Sequence, residues 1–338
     1  MSDNENFIVQ ITKDREQRRK IIEFLVNFEG ETRSAYFWRE RLELWWEKNP
    51  FYSEDLPRGW LIVLNGVIEG FFGVIVTEYR LDNKKYKALN ATTWRVLKTY
   101  RNLSISLFTK FYTLRSQYIL FNTSPTDTVA KILEAFRFQK KSAINQYIFP
   151  VKQYPQINFF KLFIHWKRKI FKLFMPKGNC REIKETDAFI INQTAEQNEI
   201  KLKGYRSFNF IDWYCHGSDS FTKAVVGYFS KEDQMTSYMI IAKQGKRKLK
   251  VIDYLTADPT GREILSIINY VCEYPDVVVG KKYDYLIFSD FVESDVLANA
   301  SLLGWIRKKR HVRHYYMLPP ELKGVEIHHT LADGDRGL

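Results

Sequence analysis

Residues 96–106 (VLKTYRNLSIS) have the residue types and spacing that best suit anion binding in this sequence. The pattern predicts that a strand ends near Val96, that a polar loop follows, and that a helix begins near Ser104. Unpartnered N–H groups and the dipole at a helix N-terminus suit a pyrophosphate, but an ordinary turn capped by Ser104 is the alternative. The candidate binding residues are Val96, Leu97, Arg101, Asn102, Leu103, Ser104, Ile105 and Ser106.

Residues 100–106 (YRNLSIS) resemble the acyl-CoA pyrophosphate loop of GNAT acyltransferases, whose pattern is Arg/Gln-x-x-Gly-x-Gly/Ala. Arg101 matches the first position, while Ser104 and Ser106 stand at the two small-residue positions. The resemblance implies that the chain binds acetyl-CoA or another acyl-CoA as co-substrate and needs no metal. Serine at both positions narrows the space in which the backbone approaches the phosphates.

A second GNAT signature, Asn-x-x-Ala-x-x-x-Tyr-x-x-x-Gly-Phe after a strand, is similar to residues 118–138. Phe138 matches the terminal Phe, but four positions differ, with Thr126, Val129, Leu133 and Arg137 in place of Asn, Ala, Tyr and Gly. In the family the tyrosine protonates the leaving thiolate, so that acid is missing here. The resemblance covers most of residues 7–150, and a weaker one spans the second half.

Acyl transfer to an amine needs a base for the amine proton and donors for the thioester oxyanion. The resemblance implies that backbone near Val96 and Leu97 supplies the donor. Candidates for the base are Glu69, His328 and Asp333, because carboxylates and imidazoles can accept protons near neutral pH. The alternative is that they belong to the solvated surface or to a frayed terminus.

The C-terminal stretch 326–336 (EIHHTLADGDR) is similar to the Asp-Gly-Asp endings of GNAT-like proteins associated with surface-polysaccharide biosynthesis. This similarity implies a small-molecule amine as acceptor, on an amino sugar or a polysaccharide precursor. We expect no metal site at His328 and His329, since neighbouring residues of a strand point to opposite faces.

The predicted helix over residues 32–46 is rich in aromatic residues and resembles the Trp-rich helix ending in Asn-Pro of sugar-modifying GNAT members. Trp38 and Arg41 are three residues apart and can share a face, so they are the candidates for substrate contact. The alternative is that most of these side chains pack in the core.

Apolar periodicity predicts the same order of elements twice, namely three strands, a loop, a helix, a strand, a helix and a strand. In the first half, strands over 59–64 and 70–79 are joined by a turn near Asn65-Gly66, and in the second half a helix is predicted over 294–303. We therefore predict an α/β fold of two tandem GNAT-like acyl-CoA acyltransferase domains, each a mixed, mostly antiparallel sheet flanked by helices. The domains are residues 1–150, with the acyl-CoA site, and 182–338, joined by a basic connector over 151–181. The loop at the same position in the second half, residues 255–263, contains Asp258 and Glu263. Their carboxylates would repel a pyrophosphate, which favours the first half as the acyl-CoA site.

The chain has 338 residues and a net charge of +13. Residues 151–181 contain no acidic residue, and the amphipathic pattern over 159–175 predicts either packing between the domains or contact with an anionic membrane. The start of the sequence lacks a signal-peptide pattern, and its three cysteines are widely spaced, so we expect a cytoplasmic protein, either free or peripheral to a membrane.

These features predict an acyltransferase that moves an acyl group from acyl-CoA to an amine. The first alternative is a tandem GNAT-type aminoacyl transferase that builds peptidoglycan cross-bridges from charged transfer RNA, because a basic chain suits RNA. The second is a non-catalytic protein that binds a polyanion or a membrane. No other nucleic-acid partner is expected.

Overall fold

The computed structural model describes residues 7–151, 166–167, 170, 176–195, 201–217, 222–277, 283–290, 300 and 303–334. For residues 142–145, 290 and 305–312 only the backbone is described. The predicted α/β class is confirmed, since strands and helices alternate along both halves. The predicted helix over 294–303 lies almost wholly outside the described residues, and so does most of the connector.

The first half contains ten helices and strands in the described residues. They are β1 (Ile8–Gln10), α1 (Arg15–Val26), α2 (Ala35–Trp45), β2 (Gly59–Leu64), β3 (Val67–Leu81), β4 (Lys84–Val96), α3 (Ser104–Tyr112), β5 (Ile119–Asn122), α4 (Asp127–Ala135) and β6 (Gln139–Pro150). The Asn65-Gly66 turn joins β2 to β3, and both residues have the positive φ that a two-residue hairpin turn demands (50° and 78°).

The second half contains a similar series of elements. They are β7 (Asn179–Glu182), α5 (Ala188–Ala195), β8 (Lys203–Gly204), α6 (Phe208–His216), β9 (Lys223–Phe229), β10 (Met235–Gln244), β11 (Lys248–Thr256), α7 (Arg262–Glu273), β12 (Tyr285–Asp290) and β13 (Trp305–Met317). The sequence did not predict β7, α5, β8 and α6, because these short elements carry little periodicity.

All these strands belong to one sheet, in the order β1-β2-β3-β4-β5-β13-β6-β12-β11-β10-β9-β7, with β8 paired to β3. The order is a palindrome when β1–β6 of the first half are matched, in turn, to β7 and β9–β13 of the second half. The final strands cross over: β6 pairs with β12, and β13 pairs with β5. This symmetry supports the predicted duplication, but the domain boundaries at 150 and 182 stay a prediction.

Three clusters of buried side chains fill the space around the sheet. The largest joins α1, α2 and α3 to the first strands and extends to Phe210 and Trp213 of α6. A second packs α7 on β9–β12. The third forms where the C-terminal segment crosses the first half, with Tyr79, Phe121 and Ile327 among its members. The C-terminal segment, which here means the described residues 318–334, is therefore part of the core.

Candidate active site

The pairing of the neighbouring parallel strands β4 and β5 ends before the carboxyl end of β4, because β5 stops at Asn122, and we call this point their separation. Their last paired residues are Asn90 and Phe121, after which β4 continues to Val96 against β3 alone. The register of β3 and β4 shifts between Phe71 and Gly73, and Thr93 in this bulge has a φ of 46°. The separation opens the sheet beside the predicted anion loop. No pattern in the sequence indicated the bulge.

A pocket of about 410 Å³ lies at this opening. Four of the predicted binding residues line it, namely Val96, Arg101, Ser104 and Ile105. The remaining walls come from Phe28, which follows α1, from Trp94 and Arg95 of β4, and from α4 with its capping residue, through Thr126, Thr128, Val129 and Ile132. Its volume lies within the range typical of small-molecule sites. The sequence analysis thus located the loop but did not predict the walls that α4 and Phe28 contribute.

Two arginines give the pocket positive charge. Arg95 is held in place by Glu31, whose Oε2 lies 2.6 Å from Nη2, and by the Leu25 carbonyl. Hydrogen bonds from Arg33, with further ones from Arg95 and Thr32, hold the pKa of Glu31 well below its usual range, so this carboxylate stays charged. Arg101 is exposed at the pocket rim, where its guanidinium can reach an anion.

The structure corrects the prediction that the loop offers unpartnered backbone N–H groups. Residues Lys98–Leu103 form a 3-10 helix that is broken by a kink at Tyr100 (φ −113°, ψ 20°) and continues into α3, so helical hydrogen bonding begins before Ser104. The Tyr100 N–H donates to the Leu97 carbonyl and the Ser104 N–H donates to the Arg101 carbonyl. Both amides are therefore already used within the chain. Asn102 and Leu103 lie in this 3-10 helix, and neither they nor Ser106 line the pocket.

The predicted oxyanion donor also needs correction, because the Leu97 N–H donates to the Glu69 carbonyl oxygen at 3.0 Å. This hydrogen bond continues the pairing of β3 and β4, so the Leu97 N–H is unavailable to a thioester. Glu69 itself lies near the start of β3, opposite Leu97, with a half-buried side chain. The structure thus brings Glu69 near the loop, and its role as a base stays a prediction.

Asp333 lies in a buried ion network rather than at an open site. Its Oδ1 accepts from Nη2 of Arg206 at 2.6 Å, and its Oδ2 accepts from the Thr330 N–H at 2.6 Å. Arg206 also binds Asp253 of β11 through Nε at 2.8 Å. Asp333 is 1% exposed, and burial raises the pKa of its carboxyl even though Arg206 offsets part of this effect. This placement argues against the predicted role as base.

The two adjacent histidines of the C-terminal segment lie in different surroundings. The half-buried His328 ring stands edge-on to Tyr254 at 5.2 Å, and its backbone N–H donates to the Leu202 carbonyl. His329 is 1% exposed against Phe121 and Tyr316. Burial, with smaller contributions from His328 and Lys141, lowers the pKa of His329 to about 3. Neither imidazole lines the pocket between β4 and β5.

Trp38 packs in the core, and its predicted contact with substrate is therefore wrong. The side chain is fully buried, with the Arg33 guanidinium 4.5 Å from its ring centre. Arg41 is half-buried and lies over Phe37 and Trp45, at 5.4 and 5.3 Å from their ring centres. Core packing, the alternative reading of this aromatic helix, is the correct one for Trp38.

The loop before α7 corresponds in the second half to the predicted anion loop of the first half. The side chain of Asp258 fills its anion position. The Asp258 oxygens accept from the Thr260 N–H at 2.8 Å and from the Glu263 N–H at 3.0 Å, at the start of α7. Burial would raise the pKa of Asp258, but these and other hydrogen bonds hold it below its usual value. The carboxylate therefore takes the position at the helix N-terminus that an anionic ligand would use.

The chain matches no protein-family model and no curated protein by sequence. It is similar in structure to a probable N-acyltransferase from Enterococcus faecalis (TM-score 0.61, 9% identity, 91% of this chain and 71% of that chain). It is also similar to a GCN5-related N-acetyltransferase from Anabaena variabilis (0.57, 10%, 91% and 72%). A third similar structure is the N-myristoyltransferase of Saccharomyces cerevisiae with bound myristoyl-CoA (0.50, 10%, 92% and 78%).

These likenesses show the fold. The chain has the mixed α/β fold of GNAT acyltransferases, as the sequence predicts. Within the described residues, no helix combines the length and the apolar content that crossing a bilayer requires. The same residues contain no group of three or more His, Cys, Asp or Glu side chains placed to hold a metal ion.

Proposed function

We propose that this chain is an acyltransferase that moves an acyl group from acyl-CoA to an amine, with acyl-CoA bound by the first half. The observation that carries the proposal is the pocket at the separation of β4 and β5, lined by Arg101 and Ser104. The fold of the similar acyltransferases supports it. The Asp258 carboxylate in the equivalent loop favours the first half over the second.

The reaction would proceed by direct attack of the amine on the thioester carbonyl, with loss of the thiolate. Cysteines that could form an acyl-enzyme are poorly suited to it, because burial raises the pKa of Cys180 and of Cys215 to about 12. A thiol with that pKa is almost wholly protonated near neutral pH and is a weak nucleophile. The acceptor amine, on an amino sugar or a polysaccharide precursor, is part of this proposal.

Calorimetric titration with acetyl-CoA tests the cofactor site directly. Replacing Arg101 with Ala removes the exposed guanidinium at the pocket rim, so we expect the dissociation constant for acetyl-CoA to rise roughly 10-fold. Arg115→Ala is the matched control, because Arg115 is exposed just beyond α3, lies 4.2 Å from the Tyr112 ring centre and does not line the pocket. Equal losses in both variants, or no binding to the unaltered chain, would reject the proposal.

One observation favours the second candidate, an aminoacyl transferase that uses charged transfer RNA. The amides of Tyr100 and Ser104 are engaged within the chain, which leaves the loop fewer donors for a diphosphate. The net charge of +13 suits a nucleic-acid substrate. Salt-sensitive binding of transfer RNA without acetyl-CoA binding would favour this candidate. Binding of neither would favour the non-catalytic alternative.

Membrane contact through residues 159–175 stays a separate proposal. Most of this stretch lies outside the described residues, but Trp166 and Ile170 are described and both are exposed. Exposed Trp and Ile side chains in a basic stretch suit the surface of an anionic bilayer. Sedimentation with vesicles that contain anionic lipid tests it, with zwitterionic vesicles as the control.

A further inference from the structure

An open cleft of about 350 Å³ lies where the two halves meet, and it shares no lining residue with the pocket between β4 and β5. One wall comes from the first half and the other from α5 and the residues that lead into α6. The lining residues are Pro50, Phe51, Glu78, Lys85, Lys87, Asn192, Tyr205, Ser207 and Asn209. A ligand in this cleft would therefore contact both halves at once.

The floor of the cleft carries two lysines held in place by one carboxylate. Glu78 of β3 is 8% exposed and lies between Lys87 of β4, at 2.9 Å, and Lys85, at 3.4 Å. The Lys87 ammonium also donates to the Phe51 carbonyl, and the Lys85 ammonium lies 4.1 Å from the Tyr205 ring centre. One carboxylate against two ammonium groups leaves the floor with a net charge of +1.

The second-half wall is fixed to this floor. The Tyr205 N–H donates to the Glu78 carbonyl at 2.7 Å, and β8 pairs with β3 at Tyr79 and Arg80. Ser207 caps α6 by accepting from the Phe210 N–H, and the first turn of α6 contains no acidic side chain that would oppose an anion. The aromatic groups Phe51 and Tyr205 supply apolar surface beside the lysines. The cleft is therefore preorganised for a compact molecule that is partly apolar and negatively charged.

Strand β4 connects this cleft to the proposed acyl-CoA pocket. Lys85 and Lys87 lie on one side of Asn90, where the pairing of β4 and β5 ends, and Trp94–Val96 lie on the other. Lys87 is three residues from Asn90, a distance of about 10 Å along a strand. Trp94, the first residue of β4 that lines the pocket, is seven residues from Lys87, about 23 Å along the strand. A molecule held at Lys87 by its anionic end therefore meets the acyl group only where the acyl arm of the bound CoA extends from the pocket towards Asn90.

We infer that this cleft binds the acceptor, and that the acceptor is an amine that also carries a phosphate or carboxylate group. The inference rests on the proposed function for the acceptor role, whereas anion binding in the cleft does not depend on it. Lys85 and Lys87 contact the anionic group, Phe51 and Tyr205 contact the body of the molecule, and Glu78 positions the lysines. None of these residues was predicted from the sequence.

Binding of three related sugars by calorimetry tests the cleft without acyl-CoA. We expect glucose 6-phosphate or gluconate to bind at least about 10-fold more tightly than neutral glucose, because charge-assisted hydrogen bonds need an anion. The stronger of the two charged ligands identifies phosphate or carboxylate as the preferred group. The double variant Lys85→Gln/Lys87→Gln should remove the preference, while circular dichroism checks that it folds.

Lys84→Gln is the matched control, because Lys84 is exposed beside Lys85 on β4 but does not line the cleft. The inference is overturned if the charged sugars bind no better than glucose, or if Lys84→Gln weakens binding as much as the double variant. An anion preference that survives in the double variant overturns it as well.

A second assay separates the acceptor role from the proposed function. Thiol release from acetyl-CoA is measured with glucosamine 6-phosphate and with glucosamine as acceptors, and we expect a higher rate with the phosphate. Binding of acetyl-CoA with equal rates would overturn the acceptor role and leave the proposed function intact. Anion binding in a chain that does not bind acetyl-CoA would overturn the proposed function and leave the anion site.

Discussion

Arg137 follows α4 in a left-handed backbone conformation, with a φ of 63°. The Phe138 N–H donates to the Leu133 carbonyl and the Arg137 N–H donates to the Glu134 carbonyl, which closes the helix end. This is the position at which the GNAT signature has glycine. The sequence shows that Arg137 replaces this glycine, and the structure shows that Arg137 adopts the left-handed conformation that suits glycine.

Replacing Arg137 with Gly should stabilise the chain by about 1 kcal/mol, because a side chain in this conformation is strained. Urea unfolding followed by fluorescence measures the change. Arg115→Gly is the control, since Arg115 lies in a 3-10 turn without a positive φ, and we expect it to destabilise the chain. Equal effects of the two substitutions would show that the conformation of Arg137 is not strained.

Buried His329 should make folding sensitive to acid. Its pKa is about 3 in the folded chain, against about 6.5 when unfolded, so the unfolded state binds more protons between these values. Stability is therefore lost as the pH falls below about 6.5, by up to ~1.4 kcal/mol per pH unit. His329→Phe keeps an aromatic ring beside Phe121 and Tyr316 and should lessen this loss.

Unfolding free energies at pH 7, 5.5 and 4.5 measure the difference between the variant and the unaltered chain. The control is His216→Gln, which replaces an exposed histidine of α6 and leaves the buried His329 ring in place. The argument fails if His329→Phe and the unaltered chain lose the same stability over this range.

At the scale of elements, α3 and α7 begin in different ways. Helix α3 continues from a 3-10 helix beside an open pocket, whereas the start of α7 is closed by the Asp258 carboxylate. Asp258→Ala should therefore destabilise the chain by about 1–2 kcal/mol, the usual cost of losing such a cap. Urea unfolding measures it.

The control for this substitution is Asp212→Ala, which removes an exposed carboxylate from α6 and should change stability by less than about 0.5 kcal/mol. If the two substitutions cost the same, the hydrogen bonds of Asp258 contribute nothing particular to α7. Asp258→Ala also shows whether removal of this carboxylate from the loop before α7 changes the number of acetyl-CoA molecules bound per chain.

Elements with strong periodicity were predictable from the sequence, whereas local backbone departures were not. The strand over Gly59–Leu64 was predicted with its observed bounds, and the Asn65-Gly66 turn fixed the hairpin that follows it. The bulge at Thr93 and the 3-10 helix at Lys98–Leu103 escaped prediction, because both depend on tertiary contacts rather than on residue type. These two features decide the shape of the candidate site.

Single residues of the candidate site were the hardest to predict. Val96 and Arg101, which line the pocket, adjoin an element boundary, which periodicity detects. Asp333 and Trp38 were misjudged because sequence cannot tell an exposed side chain from a buried one. Glu78 was not predicted to be part of a cleft, since Tyr205 and Asn192, which line the cleft with it, come from the other half.

On the scale of the whole molecule, the halves are joined by strands that cross between them. Strand β13 lies between β5 and β6, and β6 lies between β13 and β12. The buried network adds further links, because Arg206 binds Asp253 of β11 and Asp333 of the C-terminal segment. We therefore expect one cooperative unfolding transition, with superimposable curves from tryptophan fluorescence and circular dichroism.

Residues 1–150 produced alone should not fold stably, because β5 and β6 would each lose their pairing with β13 and expose open edges. Heteronuclear NMR spectra of this fragment should lack the dispersion of a folded protein. Addition of residues 151–338 as a second fragment should restore it. A well-dispersed spectrum of the first fragment by itself would show that the halves are independent.

The palindromic strand order has a consequence for the origin of the chain. A polypeptide of half this length could form the same sheet as a homodimer, with its last strand inserted into the other copy. In such a dimer one gene encodes both loops, so that they must change together. In a single chain that constraint is absent, because separate parts of the sequence encode the loop with Arg101 and the loop with Asp258.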